Sequence, residues 1–107
     1  MRSLNLIIDI GNSTTVFGLF DKEEYVAHVV TLTHGDNDGI RKEKFQHFLS
    51  DFADTKITDG MIFSVVPSMN KKIAKLVKKL LRFDIPVFDW KNYVYSKKDP
   101  RITDNIG

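Results

Sequence analysis

Three β-rich runs crowd into the first 32 residues, and the gaps between them are too short to hold a helix. Leu4-Asn5-Leu6-Ile7-Ile8-Asp9-Ile10 stops at the turn signal Gly11-Asn12-Ser13. Thr14-Thr15-Val16-Phe17-Gly18-Leu19-Phe20 stops at the polar tip Asp21-Lys22-Glu23-Glu24, and Tyr25 to Leu32 follows at once. Parallel neighbours need a crossover of about a dozen residues, so these short links predict antiparallel hairpins and a β-meander. In the second run Val16 and Phe20 fall on one face while Phe17 and Leu19 fall on the other. Apolar residues on both sides predict a central strand in a sheet covered on both faces.

The remaining residues alternate between the two periods. His34-Gly35-Asp36-Asn37-Asp38-Gly39 has loop composition. Phe45, Phe48, Leu49 and Phe52 then recur at helical spacing, with Asp38 or Gly39 near the start of that helix. Met61 to Val66 reads as a short buried strand, and Pro67-Ser68 opens a second helix with Ser68 as its expected N-cap. Met69, Ile73, Leu76, Val77, Leu80 and Leu81 make its apolar stripe, in steps of three and four. Ile85-Pro86-Val87-Phe88 reads as a further strand, entered through a proline that tolerates only an edge or first position, and Trp90, Tyr93, Val94 and Tyr95 either continue it or line a surface. The order β-β-β-α-β-α-β describes an α/β mixed sheet flanked by helices, shared by ribonuclease-H-like and actin-like ATPase domains. With no repeat or Pro/Gly/Ser-rich linker, residues 1–107 read as one domain. A fold order does not carry a function.

Composition narrows the chemistry by exclusion. The chain has no cysteine, which removes disulfides, Cys-ligated zinc and a thiol nucleophile. No run approaches the ~20 apolar residues of a membrane span, and the N-terminus lacks a signal-peptide plan, so a cytoplasmic protein is expected. The net charge of +2 is too small to imply nucleic-acid binding by itself. Yet Lys71, Lys72, Lys75, Lys78, Lys79 and Arg82 lie within twelve residues, on the side of the second helix away from its stripe. Two readings fit that cluster: a solvated face, or a surface that docks nucleic-acid phosphates. Aromatic residues are not interleaved with the lysines, which counts against the second.

The residues with chemistry in them are Asp9-Ile10-Gly11-Asn12-Ser13-Thr14, at the first strand junction. Asp9 lies at the C-terminal end of its strand and points opposite to Ile8 and Ile10. A carboxylate there suits a hard cation such as Mg²⁺, held directly or through water. Gly11 can take φ > 0 and approach a ligand closely, while Asn12, Ser13 and Thr14 bring side-chain donors and backbone N–H groups to a tight turn that can nest an anion. Together they suit a metal-chelated phosphate. The same residues also make an ordinary hairpin turn. Elsewhere, His34, Asp36 and Asp38 faintly suggest a metal loop but lack calcium-loop spacing and read as a polar loop. His28 reads as an edge or packed side chain and His47 as solvated. Asp9 with Asp84 or Asp89 is an alternative two-carboxylate metal pair.

Leu6-Ile7-Ile8-Asp9-Ile10-Gly11-Asn12-Ser13, followed by Val16-Phe17-Gly18-Leu19-Phe20-Asp21, resembles the opening of type III pantothenate kinases. Ile62-Phe63-Ser64-Val65-Val66-Pro67-Ser68-Met69-Asn70 is similar to that family's Ser-Val-Val-Pro segment, in the family's order. The resemblance implies an actin-like lobe and phosphoryl transfer from ATP to the primary hydroxyl of pantothenate, the first step toward coenzyme A. It implies that Asp9, Gly11, Asn12 and Ser13, with Thr14 beside them, contact the ATP phosphates and associated Mg²⁺. A potassium or ammonium ion and a homodimer are further implications. In the family a Gly-x-Asp-Arg motif supplies the general base. Gly107 matches its first residue, and the chain then stops. Asp99-Pro100 and Asp104-Asn105 depart from the family's Asn-Pro approach to that glycine. Tyr95 is a candidate pantothenate contact, with a surface or interface aromatic as the alternative. These features imply the first of two lobes, inactive without the second. The alternatives are a non-catalytic binding or transcriptional accessory module of the same family, or a nucleic-acid-binding domain using the Lys71–Arg82 face.

Overall fold

The structure is a computed structural model that describes residues 2–91. Strand β1 (Arg2–Ile10) pairs antiparallel with β2 (Thr14–Asp21), which pairs antiparallel with β3 (Glu24–Leu32). Helix α1 (Asp38–Ser50) leads to β4 (Thr55–Ser64), which returns parallel to β1, and α2 (Pro67–Leu81) follows. The sheet order is β3-β2-β1-β4. The predicted last strand is reduced to one parallel bridge, Ile62 to Val87. There the Ile62 N–H donates to the Pro86 carbonyl at 2.9 Å and the Phe88 N–H donates to the Ile62 carbonyl at 2.7 Å. Proline is accepted because it is the first residue of the bridged stretch, where only its carbonyl is used. The meander and the αβα continuation thus take the predicted order. Among the described residues no helix is long and apolar enough to cross a membrane.

Register decides which residues face which side. Ile8 lies opposite Phe17 and beside Ile62, and Leu6 lies opposite Leu19. These five side chains are fully buried under the helices. Each such burial is worth about 1.5–3 kcal/mol before entropy is counted. Helix α1 reaches β2 through Phe45, stacked on Phe17 with ring centroids 4.3 Å apart, and α2 seats Met69, Ile73 and Val77 on the same side.

The other face of the sheet is different. Asn5, Ile7 and Asp9 of β1 share it with Val16, Gly18 and Phe20 of β2. No described element packs on it: Val30 is 44 % exposed and Val16 and Phe20 are only half-buried. The apolar residues on both sides of β2 place that strand inside the sheet, as expected. The expectation that both faces are covered is not met by residues 2–91. Phe63, Phe88 and Trp90 gather beside β4, with Phe88 and Trp90 edge to face at 4.7 Å. Tyr93, Val94, Tyr95, Asp99, Pro100, Asp104, Asn105 and Gly107 lie outside the described residues.

Candidate functional site

Strict alternation along β1 sends Leu4, Leu6, Ile8 and Ile10 into the core and leaves Asp9, one residue from the strand's end, exposed on the uncovered face. Its cross-strand neighbours are Val16 and Phe63, neither of which offers a donor. Among the described residues the Asp9 carboxylate has no hydrogen bond or ion pair. It borders a shallow hollow of about 340 Å³ with Val16, Phe20, Tyr25, His28 and Val30. His28 lies exposed on the edge strand, its Nδ1 bonded to the Tyr25 hydroxyl.

The β1–β2 turn sits directly beyond Asp9. The Gly11 N–H donates to the Thr14 carbonyl at 2.9 Å, closing the hairpin. Asn12, Ser13 and Thr14 are exposed, and the N–H groups of Asn12 and Ser13 meet no protein acceptor among the described residues. No residue of this turn has positive φ, so the alternating left-handed geometry of an anion nest is not formed. Gly11 serves by its small size instead: a Cβ there would lie 3.2 Å from the Thr14 carbonyl oxygen.

Two other segments hold the turn in place. From the β3–α1 connection, the Thr33 N–H donates to the Ser13 carbonyl at 3.0 Å and the Thr33 hydroxyl donates to the Gly11 carbonyl at 2.7 Å. The Thr15 and Thr33 hydroxyls are themselves 2.9 Å apart and buried. On the other side the Val65 N–H donates to the Ile10 carbonyl at 3.0 Å, so the β4–α2 corner abuts the turn. Ser64 pairs with Ile10 in register, and its hydroxyl accepts from the Val66 N–H at 3.0 Å.

The N-cap of α2 is Val66, not Ser68. Pro67 takes the first helical position because its ring presets the helical φ and it has no N–H to leave unpaired. Ser68 therefore falls inside the first turn, and the helix start carries no side-chain cap. An uncapped helix N-terminus keeps its partial positive charge. It stands with the turn at the carboxyl ends of the parallel pair β1 and β4, where open α/β sheets take phosphate ligands.

Asp9, Gly11, Asn12, Ser13 and Thr14 are thus brought together on one hairpin, while Tyr95 and Gly107 lie outside the described residues. Asp36 and Asp38 are committed elsewhere: Asp36 to Lys44 at 2.8 Å and Asp38 to Arg41 at 3.1 Å. Asp84 pairs with Lys78 at 3.4 Å. Sequence reasoning missed the supports, Thr33 and Arg41. Arg41 is buried, and its guanidinium donates to the carbonyls of Leu32, Thr33 and Asp36 at 3.2, 2.9 and 3.0 Å. A signal existed, since position 41 continues the stripe of 45, 48 and 52 by one helical step.

Comparison with known proteins bears on the family and the fold. The type III pantothenate kinase family model matches residues 5–96. Among solved structures, a type IV pilus biogenesis complex of PilM and PilN superposes with a TM-score of 0.56 at 15 % identity, over 82 % of this chain. A Bacteroides thetaiotaomicron protein of unknown function with an actin-like ATPase fold superposes at 0.54 and 6 % identity, over 98 % of this chain. At such identities these likenesses show the fold, which is the actin-like ATPase fold. The chain spans 36 and 37 % of the length of those two proteins. It belongs to the type III pantothenate kinase family.

Proposed function

We propose that this member of the type III pantothenate kinase family is the N-terminal lobe of a two-lobe enzyme that phosphorylates pantothenate with ATP. The observation that supports the reading best is the Asp9 carboxylate, exposed and without a partner among the described residues, beside a turn whose Asn12 and Ser13 N–H groups meet no acceptor among them. Such a carboxylate fits a magnesium ion, which prefers oxygen ligands and keeps several waters. Bound there, the ion supplies charge neutralisation for the phosphates.

The chain's own residues orient the nucleotide. Asp9 fixes the position of the metal-bound phosphates. The Asn12 and Ser13 N–H groups and the Asn12, Ser13 and Thr14 side chains donate to phosphate oxygens, and the start of α2 adds its dipole. Gly11 lets the turn close without a side chain in the way. In the transfer, the primary hydroxyl of pantothenate attacks the γ-phosphorus, the bond to ADP breaks, and the hydroxyl proton passes to the carboxylate of the Gly-x-Asp-Arg motif. Gly107 begins that motif in this reading. Catalysis is then mainly positioning and charge stabilisation, shared between two lobes. ATP, pantothenate and a second copy of the chain are its partners.

The test is ADP release by a polypeptide carrying these residues together with the second lobe. Release depends on pantothenate, and Asp9→Asn lowers kcat about 100-fold or more. Residues 1–107 alone give no turnover. Pantothenate-independent release, or an unchanged kcat in Asp9→Asn, contradicts the assignment.

A further inference from the structure

On the helical side of the sheet, α1 and α2 enclose a groove of about 390 Å³. Its walls carry Lys42 from α1 and Lys72, Lys75 and Lys79 from α2, with Leu76 and Asp38 beside them. Lys72, Lys75 and Lys79 form one stripe along α2, about 10 Å long by helical rise. Lys42 faces the stripe from the opposite wall, close enough to Lys79 for the two ammonium charges to repel.

These four cations are unbalanced. Lys44 and Lys78 have aspartate partners, but none of the four groove lysines has a carboxylate within ion-pair distance among the described residues. Asp38, the acid at the groove, gives its carboxylate to Arg41 Nη1 at 3.1 Å, and Arg41 Nη2 donates to backbone carbonyls, while its buried Nε meets no acceptor among the described residues. Like charges three and four apart already weaken a helix, and a lysine on the facing wall of the groove adds to that repulsion. Lys72, Lys75 and Lys79 are exposed, and they share one groove with the half-buried Lys42 of the facing helix.

We infer that the α1–α2 groove is a second anion site that takes an oligophosphate chain of about four negative charges. The length and charge match: four ammonium groups along ~10 Å hold a triphosphate-sized anion, and lysines bind phosphate as point charges without demanding one orientation. Among the described residues no aromatic side chain lines the groove to stack a base, and a short concave trough reads few phosphates of a long strand. The site lies on the side of the sheet opposite to Asp9 and goes beyond the kinase reading. The Lys79 ammonium beside Lys42 holds the Lys42 amine below the ordinary lysine range. A bound polyanion relieves that repulsion and raises it.

The probe is inorganic tripolyphosphate, titrated into the 107-residue chain at low salt without magnesium and followed by calorimetry and amide spectra. Amide shifts fall on α1 and α2, and affinity drops steeply with added salt. Lys42→Ala/Lys79→Ala weakens binding at least tenfold. Lys71→Ala/Lys78→Ala, which removes the same charge from α2 outside the groove, stays within about twofold. ATP without magnesium identifies the source: binding equal to tripolyphosphate assigns the groove to a nucleotide's phosphate tail, and tenfold weaker binding assigns it to a free chain. Equal losses in the two double variants, tighter binding of citrate or of single- or double-stranded nucleic acid, or no binding at millimolar tripolyphosphate overturns the proposal. The hairpin reading is independent of each outcome, because its ligand requires magnesium and Asp9.

Discussion

Arg41 occupies a position on α1 where the helical period calls for an apolar side chain, and it is as buried as the phenylalanines that follow it. Burying a guanidinium is tolerable because it satisfies three carbonyls of the β3–α1 connection at once. Among them is that of Thr33, whose hydroxyl and N–H hold the Gly11–Ser13 turn. Arg41→Ala leaves those carbonyls unmet and lowers stability by at least about 2 kcal/mol in urea unfolding. It also speeds amide exchange at Thr33 more than in β4. Asp9→Ala is the contrasting case. That carboxylate is exposed and without a partner among the described residues, so unfolding free energy stays within about 0.5 kcal/mol while magnesium-nucleotide binding is lost. Asp36 gives a pH signature: its hydrogen bond from Lys44, then that from the Leu32 N–H, lowers its pKa below the ordinary aspartate value of 3.8. A lowered folded-state value stabilises above the unfolded value and ceases to do so as pH falls through the folded one. The difference in urea midpoint between the wild type and Asp36→Asn is therefore present at about pH 6 and shrinks toward zero at about pH 2. An unchanged difference contradicts the assigned pairing.

At the scale of elements, α2 and the meander were legible because their periods are clean, and α1 from Phe45, Phe48 and Leu49 although Arg41 interrupts its stripe, whereas the ends were not. The hexapeptide at the first strand junction reads equally as a turn, and only register shows that Asp9 leaves the core while Ile8 and Ile10 enter it. Ser68 has an N-cap residue's chemistry, but Pro67 fits the first helical position best and so displaces it inward. Gly60 was unreadable for another reason. Its need for a missing side chain comes from β1, more than fifty residues earlier: a Cβ would lie 2.2 Å from the Leu6 carbonyl oxygen, next to the β1–β4 register shift. Gly60→Ala must push the two parallel strands apart and costs about 1–3 kcal/mol, read as a lower urea midpoint. Gly39, in the first turn of α1, has no such neighbour, since an added Cβ meets only the Asn37 side chain at 3.4 Å. Gly39→Ala raises stability by about 0.4–1 kcal/mol by restricting the unfolded chain. The same sign for both substitutions contradicts the strand geometry.

Across the whole molecule the sheet has two unlike sides. One is sealed by α1 and α2; the other carries Asp9, the hollow beside Val16 and Phe20, and the Phe63–Phe88–Trp90 cluster with no described element over it. Sequence told that both sides of β2 are apolar but not what covers them, because a hydrophobic pattern records burial without naming the partner. The position of Asp9 at the carboxyl end of β1, beside the uncapped start of α2, is the ground for proposing a nucleotide on the open side. The most direct measurement is a ¹H–¹⁵N titration of the 107-residue chain with ATP, with and without magnesium. The account predicts magnesium-dependent shifts at Gly11–Thr14 and Ser68 that vanish in Asp9→Asn. Absence of those shifts up to about 10 mM ATP, or their persistence without magnesium and in Asp9→Asn, contradicts it.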